Sequence, residues 1–117
     1  MKHAFSVDPF GLLNLFGVVP VQRDDNVPWV YNDSAYEVTT GRTRVSFAVA
    51  PADRDVRIRL WVNGMVLYEL NAMGVQDVRL HNDKEREWLE VIMSPRQSIR
   101  LRIVPQIAIT ESVDEPV

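Results

Sequence analysis

The chain has 117 residues, of which 46% are hydrophobic and 25% are charged, with a formal net charge of −3 and no cysteine. This length and composition predict a single globular domain and argue against a disordered or membrane-spanning chain. The lack of cysteine excludes disulfides and thiol chemistry, and the acidic balance provides no basic field for nucleic acid. Together these features favour a cytoplasmic protein that binds neither nucleic acid nor membranes.

The first predicted element is a short helix at about residues 8–17, in the apolar stretch DPFGLLNLFG. Asp8 suits the N-cap, Pro9 the first helical position and Gly17 the position after the last turn. A helix of about two turns is unstable alone and has to dock, within its own chain or on a second subunit. The apolar residues predicted to dock are Phe10, Leu12, Leu13, Leu15 and Phe16.

From about residue 34 onward, polar and apolar residues alternate and turn signals recur, which predicts a series of short β-strands. We expect an antiparallel β-sandwich of about seven to nine strands, immunoglobulin-like or jelly-roll-like. The domain is predicted to cover residues 1–110, and residues 111–117 to form an acidic flexible tail. The predicted strands are 35–40, 43–50, 55–62, 65–70, 76–81, 86–93 and 98–104, with 3–7 and 27–31 as further candidates.

The dipeptide Asn63-Gly64 favours a two-residue type I′ turn, which sets the register of the hairpin around it. A regular ladder from this turn places Trp61, Arg59 and Tyr68 on one face of the sheet. That face would be half apolar and would need a cover. The N-terminal helix is the simplest candidate for that cover.

The next hairpin, around Pro95, requires a choice between two registers. A two-residue turn would bring Glu90 onto the face of Leu101, whereas an offset of one residue places Val91 opposite Leu101. The offset requires an odd loop or a bulge near residues 95–97. We therefore predict the offset register.

Aromatic residues beside arginines can form a surface for a protein partner, a carbohydrate or a small anion. Arginines also alternate along strands, as in Arg57-x-Arg59 and Arg100-x-Arg102, where they could hold phosphate or carboxylate. The alternative is that the aromatics are buried and the arginines pair across strands, as in Glu37–Arg44 and Glu90–Arg102. The candidate binding residues are Trp61, Arg59, Tyr68, Arg57, Trp29 and Tyr31.

Metal and catalytic sites have little support in the sequence. The two histidines, His3 and His81, are far apart, and the acidic turns match no calcium loop, so we predict no metal and no cofactor. No catalytic nucleophile motif or phosphate-binding loop occurs. His81 with nearby Asp77 or Asp83 is the remaining candidate for acid–base chemistry.

The sequence therefore favours a non-enzymatic interaction or structural module, which binds a protein partner or itself as a homodimer. The alternatives are a carbohydrate- or small-anion-binding module that uses Trp61, Arg59 and Tyr68, and a small hydrolase that uses His81.

Overall fold

A computed structural model describes residues 5–83 and 86–113 of the chain. These residues form one α-helix, nine strands and two short 3₁₀ helices at Trp29–Tyr31 and Pro51–Asp53. The helix, α1, spans Pro9–Phe16. The strands are β1 Val21–Gln22, β2 Ser34–Thr40, β3 Thr43–Ala50, β4 Asp55–Val62, β5 Met65–Ala72, β6 Asp77–Asn82, β7 Glu87–Ser94, β8 Gln97–Arg102 and β9 Ala108–Val113.

The strands form two antiparallel sheets, one with the order β1-β2-β3-β4-β5 and one with the order β6-β7-β8-β9. The core lies between them and contains buried residues of both, such as Val45 and Phe47 from the first and Leu89 and Leu101 from the second. The predicted β-sandwich is confirmed. Each sheet is a meander of consecutive strands, a simpler connectivity than that of immunoglobulin-like or jelly-roll sandwiches.

The predicted helix and its caps are confirmed. The Asp8 Oδ1 accepts a hydrogen bond from the Gly11 amide at 2.7 Å, which satisfies one of the free donors of the first turn. At the other end, Gly17 adopts a left-handed conformation with φ of 69°, and its amide donates to the Leu13 carbonyl. Leu12 and Leu15 are buried, so the helix docks on its own chain.

The surface on which α1 packs differs from the one we expected. The ring of Phe16 stacks on Tyr36 and Phe47, with centroids 5.3 and 5.6 Å away. The helix therefore packs on the inner side of β2 and β3, and the face of Trp61 does not serve as its floor. Because Leu12, Leu15 and Phe16 are core residues, only the exposed Phe10 and Leu13 of the predicted docking segment face away from the core.

Three other expectations about elements need correction. Residues 27–31 form no strand, because Trp29–Tyr31 is a 3₁₀ helix. The tail does not begin at Glu111, because strand β9 continues to Val113; residues 114–117 lie outside the described part. Of the candidate strand 3–7, residues 3 and 4 lie outside the described part and residues 5–7 form no strand. Val7 makes one hydrogen bond to the neighbouring strand, from its amide to the Val78 carbonyl at 2.9 Å.

The Asn63-Gly64 turn is present, and both residues have positive φ, 53° and 79°. Val62 pairs with Met65 as predicted, but the register then shifts at a bulge. Leu67 has no partner of its own in the ladder, and Tyr68 pairs with Leu60 instead of Arg59. An extra residue of this kind turns the rest of the strand over, so Tyr68 and Leu70 pack against the core.

The hairpin between β7 and β8 keeps the predicted faces but not the predicted partners. Val91 pairs with Ile99, two residues from the predicted Leu101, and the irregularity lies between Ile92 and Ser94. A shift of two residues preserves which side chains point inward, whereas a shift of one reverses them. The buried faces were therefore predicted correctly.

Within the described residues, no helix combines the length and the apolar content needed to cross a membrane.

Candidate functional site

The outer face of the five-stranded sheet carries most of the candidate binding residues. We call it the tryptophan face and define it by five residues: Arg44, Arg57, Arg59, Trp61 and Val66. Its centre is a shallow depression of about 250 Å³, because the strands carry small side chains there: Ala35, Ser46 and Ala48.

Two arginines lie over the ring of Trp61. The guanidinium carbon of Arg44, its neighbour on β3, is 3.9 Å from the ring centre, and that of Arg59 is 5.7 Å away. On β5, Val66 is the direct partner of Trp61 and is half exposed. An indole in contact with guanidinium groups gains cation–π attraction, which restricts its movement.

The arginines of the tryptophan face also pair with carboxylates. Arg44 lies 3.4 Å from Glu37, although its direct strand partner is Thr39, and Arg59 lies 2.7 Å from Glu69. Ion pairs with this exposure contribute between about 0 and 1 kcal/mol to stability. Cross-strand pairing, the alternative we considered for the arginines, therefore holds for this face.

Arg57 connects the tryptophan face to a larger pocket at the end of the sheet. It pairs with Asp33 and, at 3.3 Å, with Asp55. The pocket has a volume of about 470 Å³, and the exposed Tyr31 lies in its wall. We call it the aspartate pocket, because four of its lining residues are acidic: Asp24, Asp33, Asp53 and Asp55.

The loop of the aspartate pocket is held by one buried amide. The Nδ2 of Asn32 donates to the Asp24 carbonyl at 2.6 Å and to the Val27 carbonyl at 2.9 Å. Its Oδ1 accepts from the amide of Asp33 at 2.8 Å. Because these bonds link both sides of the loop, Asp24 and Asp33 are positioned by the fold.

The tryptophan face and the aspartate pocket together have a negative balance of charge. Their six carboxylates are Asp24, Asp33, Glu37, Asp53, Asp55 and Glu69, and their four arginines are Arg23, Arg44, Arg57 and Arg59. Such a surface attracts positively charged groups.

The structure unites four of the six predicted binding residues on this continuous surface: Arg57, Arg59, Trp61 and Tyr31. The other two point elsewhere. Trp29 donates from Nε1 to the Tyr36 hydroxyl at 3.2 Å and packs against the core. The Tyr68 hydroxyl donates to Glu111 at 3.0 Å, on the side of the second sheet.

Sequence reasoning missed the exposed apolar residues at the tip of the β4–β5 hairpin. Met65, Val66 and Leu67 are 67, 50 and 62% exposed and adjoin Trp61. Simple alternation from the turn places Met65 and Leu67 on the core side; the bulge removes Leu67 from that position, whereas Met65 keeps its predicted partner Val62 and is exposed because it lies at the hairpin tip.

His81 is held by structural contacts on the outer face of the second sheet. Its ring stacks on Trp88 with centroids 5.0 Å apart, and its Nε2 lies 2.8 Å from the Oε1 of Glu90. Asp77 is engaged with Ser6 and Arg79. Among the described residues, no group of three or more histidine or acidic side chains is arranged to hold a metal ion.

No family model and no curated protein matches this sequence. In fold, the chain is similar to a chain of a contact-dependent growth inhibition toxin–immunity protein complex from Klebsiella pneumoniae 342. The two superpose with a TM-score of 0.80 and 18% sequence identity, over 96% of this chain and 98% of that chain. At that identity the comparison shows a common fold, and the β-sandwich is therefore one that a known two-protein complex also uses.

Proposed function

We propose that the chain is a protein-binding module, and that it docks a partner on the tryptophan face and the aspartate pocket. The observation that carries the proposal is the position of Trp61, which is in cation–π contact with Arg44 and Arg59 and lies beside the exposed apolar tip of the hairpin. Tryptophan, tyrosine and arginine are the residues that dominate binding energy at protein interfaces.

The charge of this surface favours a basic partner. With six carboxylates against four arginines, it would attract lysine and arginine side chains and would steer their approach. A two-fold homodimer through the same surface would bring like charges together, because such an interface places each patch on its own copy. We therefore propose that the partner is a different protein with a basic surface.

Site-specific photocrosslinking tests the proposal in the native host. A photoreactive residue replaces Leu67, and in a matched control it replaces Val104, which is 70% exposed beside the second sheet. We expect a covalent product with one other protein from position 67 and none from position 104. A product with twice the mass of the chain would contradict the proposal and indicate a homodimer.

The partner obtained in this way allows a quantitative test. Truncating a central tryptophan at an interface costs about 2 kcal/mol or more, so Trp61→Ala should weaken binding about 30-fold or more. Arg96→Gln, in the turn between β7 and β8, is the control and should leave affinity unchanged. Equal affinity of the Trp61→Ala variant and the unaltered chain would contradict the proposal.

A more specific function is the immunity role in a toxin–immunity pair. The fold similarity to a chain of such a complex supports it, and so does a sequence without a catalytic motif. The partner should then arrest growth when it is produced alone, and co-production of this chain should restore growth, whereas the Trp61→Ala variant should not. A partner without effect on growth would exclude this role and leave the protein-binding function intact.

A further inference from the structure

The arginines on the outer face of the four-stranded sheet differ from those of the tryptophan face in their ion pairing. Within the described residues, no ion pair joins Arg86, Arg100 or Arg102 to a carboxylate. The carboxylate opposite Arg100 in the ladder belongs to Glu90, whose Oε1 is in contact with His81 at 2.8 Å. Three arginines of this face therefore have no carboxylate within ion-pair distance in the described part of the chain.

These arginines surround one pocket of about 210 Å³, which opens across β7, β8 and β9. On β9, Thr110 pairs with Arg100 and Ala108 pairs with Arg102, and these small residues leave room beside the long arginine side chains. Within the described part of the chain, none of its lining residues is acidic. Its lining residues are Arg86, Trp88, Arg100, Arg102, Ala108 and Thr110.

Two buried donors at this pocket have no acceptor within the described part of the chain. They are the Nε1 of Trp88 and the Nε of Arg102. A buried donor without an acceptor is destabilising, and buried polar groups in native proteins are seldom left without a partner. Both residues line the pocket, so an anion that binds there can supply the acceptor that these donors lack.

The pocket is also held in shape before any ligand arrives. The Trp88 ring is stacked on His81, with an interplanar angle of 8°, and the guanidinium carbon of Arg100 is 5.8 Å from the centre of the same ring. Fixed donors lose less entropy on binding than mobile ones.

We propose that this pocket binds a phosphoryl group. Guanidinium groups match the oxygens of a phosphate in pairs, and three of them balance a dianion better than a single carboxylate charge. The pocket is smaller than the roughly 300–1,000 Å³ of sites that enclose a whole ligand, so it suits the anionic group itself. This site lies on the opposite sheet from the tryptophan face and is independent of the protein-binding function.

The indole proton of Trp88 gives a direct readout, because the described residues include only two other tryptophans, Trp29 and Trp61. Inorganic phosphate is titrated at constant ionic strength, and the indole N–H resonances are followed by NMR, with Trp88→Phe used for assignment. We expect a saturable shift of the Trp88 resonance, while those of Trp29 and Trp61 remain in place. No saturable shift, or equal shifts of all three, would overturn the proposal.

Two matched double variants test the role of the arginines. Arg86 and Arg100 are both exposed, so Arg86→Gln/Arg100→Gln should fold and should weaken phosphate binding at least tenfold. The control is Arg42→Gln/Arg96→Gln, which removes the same charge from exposed turns elsewhere and should leave binding unchanged. Equal losses in the two variants would show a general charge effect and overturn the assignment. Tighter binding of acetate than of phosphate would overturn the choice of a phosphoryl group.

Discussion

The guanidinium carbon of Arg44 lies 3.9 Å from the ring centre of Trp61, and the two residues are direct partners across β3 and β4. The same guanidinium group lies 3.4 Å from Glu37, which limits its movement. An arginine over an aromatic ring at an exposed site contributes about 0.5–1 kcal/mol. The pair should therefore hold Trp61 in one orientation before a partner binds, which reduces the entropy lost on binding.

A double-mutant cycle measures this coupling. We expect Arg44→Gln and Trp61→Ala to show a coupling free energy of about 0.5–1 kcal/mol in urea unfolding. The control cycle pairs Trp61→Ala with Arg96→Gln, an exposed residue in the β7–β8 turn of the other sheet, and these two changes should be additive within about 0.5 kcal/mol. Additivity in both cycles would show that the contact between Arg44 and Trp61 contributes nothing.

Two phenylalanines of α1 should differ sharply in their contribution to stability. Phe16 is 4% exposed and stacks on Tyr36 and Phe47, whereas Phe10 is 76% exposed. We expect Phe16→Ala to lower the free energy of unfolding by about 3–5 kcal/mol, and Phe10→Ala to change it by about 0.5 kcal/mol or less.

Thermal unfolding and light scattering check this prediction. If Phe16→Ala does not fold, Phe16→Leu can replace it. It should lower the free energy of unfolding by less than Phe16→Ala would, but still by more than Phe10→Ala does. A large loss from Phe10→Ala, together with a fall in mass from dimer to monomer, would show that the outer side of α1 is buried between subunits.

Asp77 should make the free energy of unfolding decrease at low pH. Burial alone would raise its pKa, but hydrogen bonds from Ser6, Arg79 and the Val78 amide outweigh burial and hold the pKa below its ordinary value of 3.8. A carboxyl whose pKa is lowered by folding contributes stability that is present above its unfolded pKa and is lost as the pH falls through the folded pKa. The charged form of Asp77 thus holds the N-terminal segment on β6.

Urea unfolding between about pH 2 and pH 7 tests this effect. Asp77→Asn should be less stable than the unaltered chain at neutral pH and should lose less stability on acidification. Ser6→Ala should have a smaller effect, because the Ser6 amide still donates to Asp77 at 2.8 Å. Identical acid profiles for Asp77→Asn and the unaltered chain would contradict the prediction.

The sequence predicted the features that depend on a few neighbouring residues. The caps of α1 follow from Asp8, Pro9 and Gly17, and the β4–β5 turn follows from Asn63-Gly64, because each motif has its conformation built into its own residues. The faces of most strands followed from simple alternation, since it depends only on the direction of successive side chains.

The position of Tyr68 could not be predicted in this way. The bulge at Leu67 inserts one unpaired residue among ordinary strand-forming residues, and no glycine or proline marks it. The same applies to the floor of α1, since Tyr36 and Phe47 are distant in sequence from Phe16. The bulge and the packing of α1 both depend on contacts between residues far apart in sequence. Such contacts determine which of the predicted site residues lie on the same surface.

The hydroxyl of Tyr68 donates to the Oε1 of Glu111 at 3.0 Å, so it joins strand β5 of one sheet to strand β9 of the other. Burial, the hydrogen bond and the charge of Glu111 raise the pKa of Tyr68 from 10.0 to about 12. Because folding raises this pKa, the stabilising effect is fully present below about pH 10 and is lost as the pH rises through about 12.

Glu111→Gln should lower the pKa of Tyr68, as measured by tyrosinate absorbance. Tyr68→Phe should make stability fall less steeply above pH 10 without abolishing the fall, because burial also raises the pKa of Tyr36. An unchanged tyrosine titration in Glu111→Gln would show that Glu111 does not act on Tyr68, and the two sheet edges would then be joined by packing alone.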